Sequence, residues 1–266
     1  MMKIYSIIFF ILVVSVAGFG QEKPKSVTSL VGNFWVSVET SPAEQNDVVT
    51  QTHWEQGITL WHSGRNFITP YVSTDFVVDT RGKDWNNKAL ANAGIKVRHI
   101  FSRGLIEAAI GLAGEKRFKS GNLSAQPTAS VAYWAGWQSP QTAEHSVRYF
   151  NGYPGSSWGV VGNISPAERR NVIGLFSLTQ GVNLIDAGKW QTVPFVKVQS
   201  GFDTKGYDWN NKVLTSTGIK IVVPRRSATI EAGIAYTDEH RQGLHSGGVA
   251  AFVTLWSGWS RTLKRD

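Results

Sequence analysis

The side chains that could do chemistry are few and far apart. There are six histidines (His53, His62, His99, His145, His240 and His245) and no cysteine. Thiol catalysis, disulfides and cysteine-ligated metals are therefore excluded. His53 precedes Glu55 by two residues, so on a strand both share one face. A hydrolase would need a nucleophilic Ser aligned with that pair. No Ser takes a convincing same-face position, so His53 reads as a polar interior residue and no enzyme is expected. Glu107 with Glu115, and Glu231 with Glu239, are paired carboxylates. Eight residues of strand separate each pair by ~26 Å, too far for glycosidase chemistry within one strand. Asp238-Glu239-His240 alternates faces and offers no convergent ligand set. Neither a metal nor a cofactor is expected.

The same charges make better sense as lumen salt bridges. Lys96, Arg98, Glu107, Glu115 and Arg117 form one set, and Lys220, Glu231, Glu239 and Arg241 a related one. If each set lies on neighbouring strands, its opposite charges come within contact range. Pairing then offsets the cost of placing charges in a narrow lumen. Tyr71, Trp134, Phe195 and Trp256 are expected to add aromatic surfaces to that lumen. Asp84-Trp85-Asn86-Asn87 and Asp208-Trp209-Asn210-Asn211 are turn chemistry. As exposed loops they are also candidates for binding.

The elements that must position these residues are written twice. Asp84-Trp85-Asn86-Asn87-Lys88 recurs 124 residues later, as do Ser41-Pro42-Ala43-Glu44, Gln56-Gly57, Asp79-Thr80 and Gly94-Ile95-Lys96. Near the end the offset becomes 122, where Trp134-Ala135-Gly136-Trp137 matches Trp256-Ser257-Gly258-Trp259. Within each half the period is two, the mark of half-buried strands. In 67–79 the even positions are mostly apolar and the odd ones mixed polar; in 105–118 Ile106, Ala108, Ile110 and Leu112 oppose Glu107, Glu115 and Arg117. Six strands per half are predicted, near 34–40, 48–61, 67–79, 89–101, 105–118 and 126–137, then 158–164, 171–185, 191–203, 213–223, 228–241 and 248–259. Most reach the ~9–11 residues that a tilted membrane strand needs.

Composition supports a membrane reading. The chain is 42% hydrophobic but only 17% charged, and it has 11 Trp. A solvent-facing set of strands would carry more charge. Several Trp fall near strand ends, where aromatic belts sit. The net charge of +8 is scattered, with no basic run, so no nucleic-acid partner is expected. Residues 1–20 have a basic start, an apolar stretch and small residues before Gln21, as in a secretory signal peptide. Residues 21–33 form an N-terminal segment. A single barrel is expected over 34–266, with halves 34–138 and 156–260 joined by a linker at 139–155. Gln56 and Gln180 fall on the apolar face, which a buried, paired amide would explain.

The expected fold is thus all-β: an up-and-down antiparallel transmembrane β-barrel of about twelve strands from two six-stranded repeats. The turns Ser41–Asp47, Thr80–Lys88 and Lys119–Ala125, with their copies, would face outward. Those at His62–Asn66, Ser102–Gly104, Asp186–Lys189 and Pro224–Ser227 would be periplasmic and shorter. The signal sequence, alternating strands and Trp-rich strand ends resemble Gram-negative outer-membrane β-barrels over essentially the whole mature chain. More narrowly, the WNNK turns and the Gly-Ile-Lys strand are similar to barrels of exopolysaccharide-export and phage-adsorption proteins, though the long helical repeat region usual in such exporters is missing. The resemblance implies an outer-membrane location with lipid as a partner. The interior cations and aromatics suggest a narrow pore for a polar solute, anionic or a saccharide. The competing readings are a plugged barrel with an adhesion, phage-contact or structural role and, behind it, a lipid-modifying enzyme around His53.

Overall fold

The computed structural model describes residues 28–41, 47–138, 146–225 and 227–262. These residues form fifteen strands and no helix. They are β1 Ser29–Ser41, β2 Asp47–Thr59, β3 Trp61–Ser63, β4 Asn66–Asp79, β5 Lys88–Phe101, β6 Gly104–Arg117, β7 Leu123–Trp137, β8 Arg148–Tyr149, β9 Gly155–Gly162, β10 Ile173–Gly181, β11 Ile185–Asp186, β12 Gln191–Asp203, β13 Lys212–Pro224, β14 Ala228–Arg241 and β15 Leu244–Thr262. Twelve of them close a ring in the order β1-β2-β4-β5-β6-β7-β9-β10-β12-β13-β14-β15. One seam is β10 with β12, from Ile173↔Asp203 to Gly181↔Phe195. The other is β1 with β15, from Ser29↔Thr262 to Glu39↔Phe252. Every pairing is antiparallel, and closure leaves none of the twelve strands as an open edge.

The alternation sorts inside from outside. Ile110 and Leu112 on β6 are each 66% exposed, while Ala113 and Glu115 on the opposite face are buried. On β5 Ile95 and Val97 are exposed, and Lys96 between them is buried. Fully buried side chains are largely polar, including Glu115, Asn171, Asn183, Asp47 and Asp186. This is the reverse of a soluble domain, in which large apolar side chains fill the interior. A polar interior and an apolar exterior are what a lipid-embedded barrel requires.

Several boundaries differ from the periodicity. β1 starts at Ser29 rather than Phe34, because Ser29–Asn33 pair with both β2 and β15. The strand expected over 48–61 breaks at exposed Leu60, leaving β3 as its continuation along β4. The strand expected over 171–185 ends at Gly181; β11 beyond it pairs with β8, taken from the expected linker. Asp186–Lys189 is therefore part of a longer connection, 182–190. The turn at 118–122 spans five residues but its copy at 242–243 only two, which is where the repeat offset changes. The expected signal sequence at 1–20, residues 21–27, Pro42–Glu44 and the first part of the expected linker lie outside the described residues.

Reversals at 80–87, 118–122, 163–172, 204–211 and 242–243 gather at one mouth of the barrel. Both described chain ends lie at the other, with 64–65, 102–103, 146–154 and 182–190. The connection 163–172 turns inward: Ser165, Pro166 and Asn171 are buried.

Candidate functional site

The lumen wall of the first half carries a continuous polar network. Lys96 on β5 is 2% exposed and reaches Glu55 on β2 at 2.5 Å, across the intervening β4. It also lies 3.4 Å from Glu107 on β6 and 4.3 Å from the centre of the Tyr71 ring on β4. Arg98 donates to Glu107 Oε2 through Nε at 3.0 Å and Nη2 at 2.8 Å. Beside Glu55, the His53 ring pairs with Asp75 at 2.7 Å and stacks on Trp35. Nearer the mouth, Arg117 donates to Glu115 at 3.1 Å. The Ser165 hydroxyl donates to the other Glu115 oxygen at 3.0 Å, which anchors the inturned connection.

The second half has fewer charges in its wall. Lys220 donates to Glu231 at 2.7 Å and lies 5.5 Å from the Phe195 ring centre. Arg241 donates to Glu239. Between this wall and the mouth is a cavity of about 500 Å³. Five carboxylates line it (Glu39, Asp47, Glu168, Glu231 and Glu239), and so do five cations (Lys88, Lys197, Lys212, Lys220 and Arg241). The formal charges of the lining are thus equal in number, five of each sign.

Two turns close over this cavity. The β4–β5 turn at 80–87 and the β12–β13 turn at 204–211 are on opposite sides of the ring, with four strands between them in either direction. Yet Trp85 and Trp209 stack with ring centres 6.4 Å apart and planes at 19°. Tyr207 extends the stack, 4.5 Å from Trp209. Each turn is built the same way. Asp79 Oδ1 accepts from the Lys83 amide at 3.0 Å and from Asn87 Nδ2 at 3.0 Å. Asp203 Oδ1 accepts from the Tyr207 amide and Asn211 Nδ2 at the same distances. This Asx chemistry braces each loop against the end of its own strand. Asn86 lines the cavity, while Asn210 donates to Glu168 at 3.1 Å and to Asp203 at 2.7 Å. Asp84 accepts the Ser120 amide at 2.9 Å and so ties its turn to the next one. That hydrogen bond, with the Ser120 hydroxyl and the Arg117 and Lys119 charges, holds the Asp84 carboxyl below its ordinary range.

The chain is a barrel of the membrane type. No protein-family description and no curated protein matches it. Solved structures resemble it in outline only. The beta domain of the Bordetella autotransporter BrkA is 9% identical, with a TM-score of 0.40, over 88% of this chain and 100% of that one. OmpT with loop L8 deleted, an outer-membrane protein of Vibrio cholerae, is 9% identical with a TM-score of 0.37, over 87% and 99%. The translocator domain of the autotransporter NalP from Neisseria meningitidis is 10% identical, with a TM-score of 0.30, over 95% of each.

The barrel brings Lys96, Arg98 and Glu107 into one network, and joins Lys220 with Glu231, Glu115 with Arg117 and Glu239 with Arg241. It does not link Glu107 to Glu115 or Glu231 to Glu239. Trp134 and Trp256 fold over Gly136 and Gly258 toward the chain-end mouth, each about half exposed, on the lumen face one step along the ladder from Glu107 and Glu231. Sequence reasoning missed the roles of Glu55 and Asp75. Both lie on the polar face of their strands, but only the register across β4 brings Glu55 to Lys96. The apolar-face glutamines are also resolved. Gln180 Oε1 accepts the Trp137 indole N–H at 3.1 Å, and Gln56 Oε1 accepts that of Trp259 at 3.1 Å. Their amide nitrogens donate to backbone carbonyls, Gln180 to Pro154 and Gly181, and Gln56 to Val31 and Gly57.

Proposed function

We propose that the protein is a narrow outer-membrane pore whose outer mouth is gated by the two aromatic turns, and that its solute is small, neutral and rich in hydroxyls, such as a short saccharide. An even-stranded, single-chain antiparallel barrel with an apolar exterior is the architecture of bacterial outer membranes. The observation that carries the reading is the Trp85–Trp209 stack above a charge-balanced cavity. The volume of that cavity falls within the range of small-ligand sites. Donors and acceptors of both signs, with Trp85, Trp209 and Phe195 as flat apolar faces, suit sugar hydroxyls and ring faces. The balanced lining disfavours the anion preference that the cations alone suggested. The ladder contacts join strands no more than two places apart in the ring, so they run along the wall and do not tie its opposite sides together.

The test is conductance in planar bilayers, with osmotic swelling of vesicles in a neutral disaccharide. The native protein should show rare, small openings. Trp85→Ala with Trp209→Ala should open it at least tenfold more often and speed disaccharide entry. Silence of both proteins would overturn the pore and favour a plugged barrel. Strong anion selectivity of the double variant would overturn the solute class.

A further inference from the structure

The outer surface of the β14–β15 hairpin carries a cluster that neither the lumen nor the gate uses. Asp238 and His240 share the outward face of β14, because Glu239 between them points into the lumen. His245 is the cross-strand partner of His240 on β15. The two imidazoles stack with centres 4.3 Å apart and planes at 12°. Both present Nε2 to one carboxylate: His240 to Asp238 Oδ2 at 2.8 Å and His245 to Oδ1 at 2.6 Å. Both rings are well exposed, at 57% and 63%.

We propose that Asp238, His240 and His245 form a binding site for a borderline divalent transition-metal ion, Zn²⁺ being the reference case. Two imidazoles and a carboxylate are ordinary ligands of such ions, with bonds of about 2.0–2.2 Å. A tetrahedral centre with those bonds sets its ligand atoms about 3.3 Å apart. All three ligand atoms here already lie within 4.8 Å of one another; to seat the ion, the 2.8 and 2.6 Å imidazole–carboxylate contacts lengthen and the widest pair draws in, both by movements of exposed side chains. The fourth position faces outward and is left to water, as in an open rather than a closed site.

Two features show that the set is built and not inherited from the repeat. The sister hairpin β6–β7 has the same pairing, but Gly114, Lys116 and Leu123 stand in the three places. The turn there spans five residues and here only two, 242–243, but both hairpins set these positions directly opposite each other, so it is the residue types that differ. Opposite Asp238 stands Gly247, where a Cβ would lie 3.0 Å from Asp238 Oδ1 and 2.5 Å from the Tyr236 hydroxyl. The missing side chain lets the carboxylate lean across to His245. Sequence spacing hid this site because its third ligand comes from the neighbouring strand.

The test uses the full folded barrel in detergent, titrated with Zn²⁺ alone by calorimetry, with Cu²⁺ spectroscopy as a second readout. One equivalent should bind. His245→Ala and Asp238→Asn should each weaken binding at least tenfold, while His62→Ala and His99→Ala should not. The Cu²⁺ spectrum should show two nitrogen ligands, falling to one in His240→Ala. Heat-modifiable gel migration establishes that each variant is folded, and the side chains are exposed enough to be replaced without loss of the barrel. Absence of stoichiometric Zn²⁺ binding would overturn the proposal, as would binding that survives His240→Ala with His245→Ala.

Discussion

Replacing Gly155 with Ala should unfasten Trp137 from Gln180 and weaken one seam of the barrel. The indole of Trp137, on β7, lies over Gly155 on β9 and reaches Gln180 on β10. A Cβ at position 155 would stand 2.5 Å from Trp137 Cε2 and Nε1. A fused ring cannot yield at that point, so the whole indole must lift and its 3.1 Å hydrogen bond must break. The pair sits on the outward face at the strand ends, at the rim of the lipid-facing band. Polar side-chain pairs in membranes are worth about 0.6 kcal/mol on average and up to about 1.7. An indole N–H left without an acceptor costs about 1–3 kcal/mol. The expected loss is therefore about 1–3 kcal/mol.

Guanidinium unfolding of the detergent-folded barrel, followed by Trp fluorescence, measures it. Trp137→Phe should cost about 1 kcal/mol, because Gln180 keeps its bonds to the Pro154 and Gly181 carbonyls. In that background Gly155→Ala should cost less than half its original amount. Full additivity of the two substitutions would refute the clasp, because independent sites add and coupled ones do not. The equivalent Gly32→Ala is a harsher test, since a Cβ there meets both the Trp259 ring and the Glu55 carbonyl at 2.5 Å.

Three further outcomes are expected. Lys96→Met should destabilise the barrel by about 3–5 kcal/mol by taking from Glu55 its closest cation, while Glu107 keeps Arg98, and adding Glu55→Gln should restore part of the loss in the same unfolding assay. Asn211→Ala removes the amide that holds Asp203 and the Tyr207 carbonyl, and should raise the opening frequency in bilayers while leaving the unfolding midpoint nearly unchanged. The tie between Asp84 and the Ser120 amide belongs to a carboxyl with a lowered pKa, so it is complete above the ordinary carboxylate range and is lost only as pH falls through the lowered value; hydrogen exchange of Ser120 should keep its protection to that point, and Asp84→Asn should remove the pH dependence.

The strands were legible because lipid outside and a polar lumen inside enforce strict alternation, and no tertiary contact overrides it in 67–79 or 105–118. Boundaries were lost where the alternation stops carrying information. Ser29–Asn33 is short and contains a glycine, and only its two flanking partners make it strand. Ile173–Gly181 stops because the next residues turn to meet Asn151 and Tyr149. Ladder contacts between adjacent strands followed from short hairpins, as with Lys220 and Glu231. The contact of Glu55 with Lys96 skips a strand and needs the register of two pairings at once. The Trp85–Trp209 stack needs ring closure, which no local pattern contains.

Ring closure also explains why a sequence written twice yields an asymmetric lumen. Six strands per copy in a ring of twelve put every turn opposite its counterpart, so the two Trp turns can meet only across the mouth. The walls beneath them have diverged. At the 124-residue offset, Glu55 becomes Thr179, His53 becomes Ser177, Asp75 becomes Gln199 and Arg98 becomes Val222. Each change removes a charge or a hydrogen-bonding ring from the second wall, and Lys220 keeps one carboxylate partner where Lys96 has two. Thr179 and Lys220 both line the cavity, and the first wall's Lys96 and Glu55 do not. The space under the gate therefore lies where the second copy gave up the network that fills the first.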